Sequence, residues 1–127
     1  MKIKEVDFTI LKDKVINKIN RVKIDGNDEL HFFTNENEQF IMYHDQDCCE
    51  QVYIEDISGD LDDICGAPII FATEDTNKSK DDIEDMSHTW TFYNIQTIKG
   101  HVTIRWHGES NGYYSEAVSF CEVINYN

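Results

Sequence analysis

The sequence predicts a β-rich α+β fold, a mostly antiparallel sheet of seven or eight strands with one or two short helices. The 127 residues suit one domain with one hydrophobic core. Apolar and polar residues alternate in short runs separated by turn residues, a pattern typical of strands. One proline and six glycines leave little material for a flexible linker. We therefore expect residues 1–127 to form a single domain.

The N-terminal half predicts an antiparallel meander of strands. Asp25-Gly26 is a turn signal after the first strand, and the polar run 34–38 separates the other two. Ahead of the meander, the apolar side chains of residues 6–11 fit either a short helix or a strand. The predicted strands cover residues 15–24, 30–33 and 39–44.

The middle of the chain alternates less regularly. A strand is predicted over residues 50–57, followed by a short helical turn that either Ser58 or Asp60 could cap. Residues 68–72 are apolar and predict a short strand. Residues 74–87 are charged and show little periodicity, so we expect a mobile loop there.

The last third of the chain alternates most clearly. Val102, Ile104 and Trp106 would share the buried face of one strand, because side chains two apart in a strand point the same way. Asn111-Gly112 predicts a hairpin turn. The predicted strands cover residues 89–98, 101–107 and 116–124.

The net charge of −14 is concentrated in the middle of the chain, where residues 45–85 carry fourteen acidic side chains and two lysines. Such a field repels nucleic acid and attracts basic partners. We therefore expect a basic protein partner and no direct contact with nucleic acid. The alternative is an acidic surface that serves solubility alone. The candidate partner-binding residues are Asp60, Asp62, Asp63, Asp81, Asp82, Glu84 and Asp85.

The sequence contains no apolar run long enough to span a membrane and no apolar signal segment near its N-terminus. We therefore expect a cytoplasmic protein that has no membrane partner. In a reducing compartment, the four cysteines are expected to be thiols or metal ligands and not a disulfide framework. Cys65 and Cys121 stand in apolar surroundings, and we expect both to be core thiols.

Residues 44–50, HDQDCCE, bring a histidine, three acids and two cysteines together. Thiolate, imidazole and carboxylate are ligands that zinc accepts, so we expect a zinc site with a structural role. Adjacent side chains point to opposite faces of an extended strand, so both cysteines reach one ion only if the backbone kinks between them. The candidate ligands are His44, Asp47, Cys48, Cys49 and Glu109, with His107 as another donor from a distant strand.

Two other interpretations of residues 44–50 stay open, because the usual zinc spacings are absent. In one, the segment is an acidic turn in which His44 bonds a nearby carboxylate and the thiols are buried. In the other, the metal keeps an open coordination position and Glu50 acts as the base of a hydrolase.

Three stretches of the chain resemble a family of small phage and prophage proteins: HDQDCCE at 44–50, VYIEDISGDLDDICGAPI at 52–69, and WTFYNIQTIKGHVTIRWHGESNGYYSE at 90–116. The resemblance covers most of the chain after residue 40. It implies a phage-derived protein made in a bacterial host. Small acidic phage proteins often inhibit host defence, as anti-CRISPR proteins do, and the resemblance also favours a metal site.

Together, residues and resemblance predict a phage-encoded, acidic, metal-binding inhibitor with no catalytic activity. Its partner would be a basic host protein, for which the resemblance suggests a type II CRISPR nuclease with a channel that normally holds nucleic acid. Two alternatives are a metal-dependent hydrolase and a regulatory or structural protein that binds another phage product.

Overall fold

The computed structural model describes residues 2–81 and 85–124, which form nine strands and two short 3-10 helices. Two of the acidic candidates, Asp82 and Glu84, lie outside the described residues. The 3-10 helices cover Phe8–Leu11 and Leu61–Ile64. The strands are β1 (Lys2–Glu5), β2 (Ile16–Ile24), β3 (Asn27–Thr34), β4 (Gln39–Tyr43), β5 (Gln51–Ser58), β6 (Phe71–Asp81), β7 (Met86–Thr97), β8 (Gly100–Ser110) and β9 (Ser119–Ile124).

The strands form two antiparallel sheets with the orders β1-β9-β4-β3-β2 and β5-β8-β7-β6. The predicted meander is confirmed, since β2, β3 and β4 pair in succession. The chain passes from the first sheet to the second through residues 44–50 and returns through residues 111–118. These two crossings touch, because His44 hydrogen-bonds the carbonyl oxygen of Ala117.

Both sheets bury apolar side chains in one core. In β3, positions alternate between half-buried and buried, and Leu30 and Phe32 are fully buried. In β8, Val102, Ile104 and Trp106 are fully buried, which confirms the face predicted for them. This pattern leaves the side chains between them on the opposite face of the sheet, away from the core.

Two polar contacts join the sheets across the core. The indole nitrogen of Trp106 lies 3.2 Å from the sulfur of Met42. The buried carboxylate of Asp28, on β3, accepts the backbone N–H of Ile54 over 2.9 Å. Because Ile54 belongs to the edge strand β5, Asp28 fixes that edge against the first sheet.

The predicted β-rich, mostly antiparallel fold is confirmed, but the strand count is wrong. The described residues form nine strands, where seven or eight were expected, and the one or two short helices that were predicted are two four-residue 3-10 helices. The second of these turns begins as predicted, since the Asp60 side chain accepts the N–H of Asp62 over 3.0 Å. Neither described helix is long enough to cross a membrane.

The mobile loop predicted over residues 74–87 is wrong for the residues that the structure describes. β6 runs to Asp81 and pairs with β7 from Phe71 opposite Gln96 to Asp81 opposite Met86. This strand is an edge of its sheet, so backbone pairing holds it in place, while its side chains from residue 73 onward are polar and show no alternation.

The hairpin predicted at Asn111-Gly112 is also wrong, although the chain does turn there. Gly112 has a φ of +93°, a conformation that favours glycine. The strands on either side of the turn belong to different sheets, because β8 pairs with β5 and β7 while β9 pairs with β1 and β4. A turn signal predicts the turn but not the strand that follows it.

Candidate metal centre on the four-stranded sheet

The sequence correctly places the cluster at 44–50 between two strands, β4 and β5. His44 is buried there, and both of its ring nitrogens face acceptor oxygens. Nδ1 lies 2.7 Å from the carbonyl oxygen of Ala117, and Nε2 lies 2.8 Å from a carboxylate oxygen of Glu50. Both ring nitrogens are therefore engaged by protein oxygens, so a metal would have to displace one of these two contacts.

The Glu50 carboxylate holds this segment together. It accepts the backbone N–H groups of Asp47 and Cys48, each over 2.9 Å, and the side-chain amide of Gln46 over 3.2 Å. Burial raises the pKa of Glu50, but the backbone hydrogen bonds and the bond from His44 outweigh it and lower the pKa from 4.5 to about 2. A carboxylate so engaged is a weak base at neutral pH, which disfavours the hydrolase role considered for Glu50.

Cys48 and Cys49 are exposed in the same segment and form a disulfide between adjacent residues. The disulfide differs from the prediction that these cysteines are thiols or metal ligands. The alternative prediction of buried thiols in this turn is also wrong, because both residues are exposed. In the disulfide state neither sulfur is a thiolate that could bind zinc. The contact predicted between His44 and a nearby carboxylate is confirmed.

The other two cysteines are thiols. Cys121 is buried, as predicted, and Cys65 is half-buried against the core. Burial raises the pKa of both thiols above the usual value of 9.0, so neither is an activated nucleophile.

Glu109, the remaining predicted ligand, lies with two histidines on the second sheet. In the described part of the chain, His88, His107 and Glu109 form the group in which three possible ligand atoms lie within 4.8 Å of one another. His107 and Glu109 are two apart in β8 and share a face, and His88 in β7 stands directly opposite Glu109. The register of two neighbouring strands therefore assembles this cluster, on the face away from the core.

The spacing in the cluster fits a small metal ion. His88 Nδ1 lies 3.0 Å from His107 Nε2 and 3.7 Å from a carboxylate oxygen of Glu109. Ligands that each lie about 2.0–2.1 Å from a tetrahedral zinc ion are about 3.3 Å apart. The two observed distances bracket that separation, and the donor set of two imidazoles and one carboxylate is one that zinc takes in proteins.

Aromatic stacking fixes the planes of the imidazole rings. The Trp90 indole lies 4.9 Å from the His107 ring and 5.8 Å from the His88 ring, at interplanar angles of 25° and 19°. The exposed fraction of the side chain rises from 10% in His107 to 19% in His88 and 37% in Glu109. The cluster is therefore anchored on one side and open to solvent on the other.

Strand β5 borders the cluster on the side of His107. The Tyr53 hydroxyl lies 2.9 Å from His107 Nδ1, and a Glu55 oxygen lies 3.7 Å from the same nitrogen. Burial, then the charges of Glu55 and Glu109, raise the pKa of Tyr53, so this side chain stays a neutral phenol. The second oxygen of Glu55 accepts a hydrogen bond from Arg105 Nε over 2.7 Å.

The acidic partner-binding candidates divide between two elements. Asp60, Asp62 and Asp63 are exposed around the second 3-10 helix. Asp85 is exposed just before β7, where it pairs with Lys80 over 3.6 Å. Asp81 ends β6. The structure therefore does not place the described acids in one segment, although most of them are exposed.

Sequence reasoning missed His88. The predicted loop ended at residue 87 and the predicted strand began at residue 89, so His88 was assigned to neither. The signal that could have found it is the pairing of two alternating strands: once Trp90 is set opposite His107, His88 falls opposite Glu109. That register is not visible in either strand alone.

The comparison with known protein families gives one match. Residues 10–120 match a family described as a domain of unknown function, DUF7448. No curated protein and no solved structure matches the chain. The family description names no activity, so phage origin and nuclease inhibition stay predictions. Because the match extends over most of the 127 residues, the protein belongs to the DUF7448 family.

Proposed function

We propose that this protein binds a divalent transition metal ion, zinc being the expected ion, through His88, His107 and Glu109. The observation that carries the proposal is the convergence of these three ligand atoms within 4.8 Å. Two imidazoles and one carboxylate suit borderline ions, whereas calcium and magnesium prefer sites made of oxygen alone.

The arrangement supports a binding role more than a purely structural one. β7 and β8 already pair along their whole length, from Ser87 opposite Ser110 to Thr97 opposite Gly100, so an ion is not needed to join them. Three protein ligands also leave a fourth position open on a tetrahedral ion. Because the Glu109 side of the cluster is exposed, that position would face solvent or a bound partner.

Zinc content and zinc affinity test this proposal. Protein purified without added metal or chelator should contain about one zinc per chain, measured by mass spectrometry of the elements. His88→Ala and Glu109→Gln should each weaken zinc binding, measured by calorimetry, by on the order of 100-fold or more. A folded parent that binds no zinc, or an undiminished affinity in His88→Ala, would contradict the proposal.

Two controls make this test specific. His31→Ala removes a histidine that also pairs with a glutamate, Glu29, over 2.9 Å, but lies outside the three-ligand group. It should leave zinc affinity unchanged. The Cys48→Ser/Cys49→Ser variant should also keep its zinc, whereas loss of zinc would favour the site that the sequence predicts at residues 44–50.

A second candidate function is the inhibition of a basic host protein, with a type II CRISPR nuclease as the partner that the resemblance suggests. The favouring observation is a run of exposed acids over residues 55–63, which contains no lysine or arginine. In the described ion pairs of this run, Glu55 pairs with Arg105. Its other four carboxylates form none of the described ion pairs and would meet a basic surface, where they would compete with nucleic acid.

Charge-neutralising substitutions test the second candidate. Asp62→Asn/Asp63→Asn should weaken binding to the nuclease and reduce the salt dependence of that binding. Glu74→Gln/Asp75→Asn, on the exposed edge strand β6, is the matched control for a change in net charge alone. Equal effects of the two variants would exclude a specific acidic surface.

A further inference from the structure

A polar cleft of about 400 Å³ lies between strands β6 and β7 and the crossing at residues 111–118. Thr89 and Thr91 line the cleft from β7, and Tyr93 and Ile95 follow them on the same face, inside the core. The inner face of the second sheet therefore changes from apolar to hydroxyl-bearing where the crossing lies over it. The volume is within the range of small-molecule sites, about 300–1,000 Å³.

The Glu116 carboxylate, in the crossing, orients the hydroxyls of one wall. Thr89 and Ser87 donate to one of its oxygens over 2.8 Å and 3.3 Å, and Ser110 donates to the other. Ser87 and Thr89 both line the cleft. Because their protons are directed to Glu116, the lone pairs of their oxygens can accept hydrogen bonds from a ligand.

Thr91 contributes a buried hydroxyl to the same cleft. Its side chain is 3% exposed, and its hydroxyl takes part in none of the side-chain hydrogen bonds in the described part of the chain. A hydroxyl that is removed from water and left unpaired costs free energy, which a hydrogen bond to a ligand would recover. Thr91 therefore gives the cleft a buried polar group with which a ligand can pair.

Strand β6 forms the opposite wall with a carboxylate, a hydroxyl and an ammonium group in succession. Glu74, Thr76 and Lys78 line the cleft and are exposed. Side chains two apart in a strand share a face and stand about 6–7 Å from each other. This wall therefore offers an acceptor, a group that donates and accepts, and a donor, spaced along one line.

We propose that this cleft binds a small, uncharged ligand rich in hydroxyl groups, a monosaccharide in its ring form. Sugar hydroxyls donate and accept, so one ring can pair with Glu74, Lys78 and the lone pairs of Thr89. A phosphate would face two carboxylates, of Glu74 and Glu116, against one ammonium group, which disfavours anions. An apolar ligand would leave the lining hydroxyls unpaired.

This site is independent of the proposed metal centre. His88 and Thr89 are adjacent in β7, so their side chains point to opposite faces of the sheet. Removal of metal with a chelator should therefore leave sugar affinity unchanged. Failure of the metal proposal and failure of this one are distinguishable, because zinc binding and sugar binding are measured separately.

The test is a titration of the folded protein with D-glucose, D-galactose, D-mannose and N-acetyl-D-glucosamine, followed by nitrogen-15 NMR of the backbone amides. At least one sugar should shift the amide signals of Thr76, Thr89 and Thr91. Thr91→Val keeps the shape of the side chain and removes the hydroxyl, and valine suits a buried strand position. It should weaken sugar binding by about 3-fold to 10-fold, the value of one neutral hydrogen bond.

Thr97→Val is the matched control, because Thr97 lies on the same strand and the same face, is 2% exposed, and does not line the cleft. It should leave sugar affinity unchanged. Inorganic phosphate is the anion control and should shift none of the cleft signals. The proposal would be overturned if no sugar shifts the cleft signals, if phosphate shifts them instead, or if Thr91→Val binds as tightly as the parent. Equal weakening in Thr97→Val would also contradict it.

Discussion

Two regions of this molecule each bring histidine and glutamate side chains together, but the regions differ in burial and in hydrogen-bond partners. In the segment 44–50, His44 and Glu50 are buried together, and the carboxylate is surrounded by donors from its own loop. On the second sheet, His88 and Glu109 are half-buried and stand 3.7 Å apart beside His107. The first region is a closed structural pair, while the second is open to solvent and is the proposed ion site.

The difference between the two regions follows from which part of the chain supplies the hydrogen-bond donors. A loop can fold its own N–H groups around a nearby carboxylate, as those of Asp47 and Cys48 do around Glu50. In a sheet, backbone N–H groups are already used in the ladder, so side chains on the face away from the core must find one another. When possible metal ligands lie close together in the sequence, the backbone N–H groups between them can therefore donate hydrogen bonds to them in place of a metal.

The largest expected effect is on the closed pair. Glu50→Ala should lower the free energy of unfolding by about 3–5 kcal/mol, because it leaves the buried His44 side chain and two backbone N–H groups without their hydrogen-bond partner. Urea unfolding followed by circular dichroism measures it. Glu29→Ala, which breaks the half-buried pair with His31, is the control and should cost about 1 kcal/mol or less. Equal losses in the two variants would show that the pair of His44 and Glu50 contributes no more to stability than a half-buried pair.

The pH dependence of stability probes the same pair. The pKa of Glu50 is about 2 in the folded protein against an ordinary value of 4.5, so its contribution is fully present above pH 4.5 and is lost as the pH falls toward 2. A shift of this size corresponds to about 3 kcal/mol. The stability difference between the parent and Glu50→Gln should therefore shrink as the pH is lowered. Parallel curves over that range would show that Glu50 is not the responsible group.

Metal removal should affect the open cluster and not the closed one. At a free zinc concentration of about 100 times Kd, zinc should stabilise the folded protein by about 2.7 kcal/mol. A chelator should remove this increment in the parent and in Glu50→Gln alike, as measured by thermal unfolding. In His88→Ala the chelator should have no effect. A chelator-induced loss in His88→Ala equal to that of the parent would place the zinc elsewhere.

The smallest expected effect is at the two adjacent cysteines. Cys48→Ser/Cys49→Ser should change the free energy of unfolding by less than about 1 kcal/mol. A disulfide between neighbours closes a very short loop and restricts the unfolded chain little, and Glu50 holds the segment independently. Thermal unfolding with and without a dithiol reductant measures this. A loss as large as that of Glu50→Ala would show that the disulfide, and not the carboxylate, organises the segment.

Much of the fold could be predicted from local pattern. The alternation of Val102, Ile104 and Trp106 correctly predicted a buried face, because a strand places every second side chain on one side. A helical turn capped by Ser58 or Asp60 was predicted for an equally local reason, and the structure has Asp60 as the cap. Residues 74–81 were missed because an exposed edge strand needs no apolar alternation; its backbone pairing with β7 makes it a strand.

The candidate site was predicted in part. Glu109 was named as a ligand and His107 as another donor, yet both were assigned to a site around residues 44–50. The sequence indicated which residue types could bind a metal, but not that His44 would use both ring nitrogens in hydrogen bonds. It also did not show that Glu55 of β5 would place a second carboxylate 3.7 Å from His107 Nδ1.

The sequence by itself determined the strand-rich class, the identity of most strands and the presence of side chains whose types can bind a metal. These are local properties, set by alternation, turn residues and side-chain type. The tertiary structure decided which of those side chains meet. The register of β7 on β8 brought His88, 19 residues from His107, to Glu109, while the crossing at 44–50 buried His44 against Glu50. Register and crossings depend on the whole sheet, because pairing is chosen by the burial of one complete face.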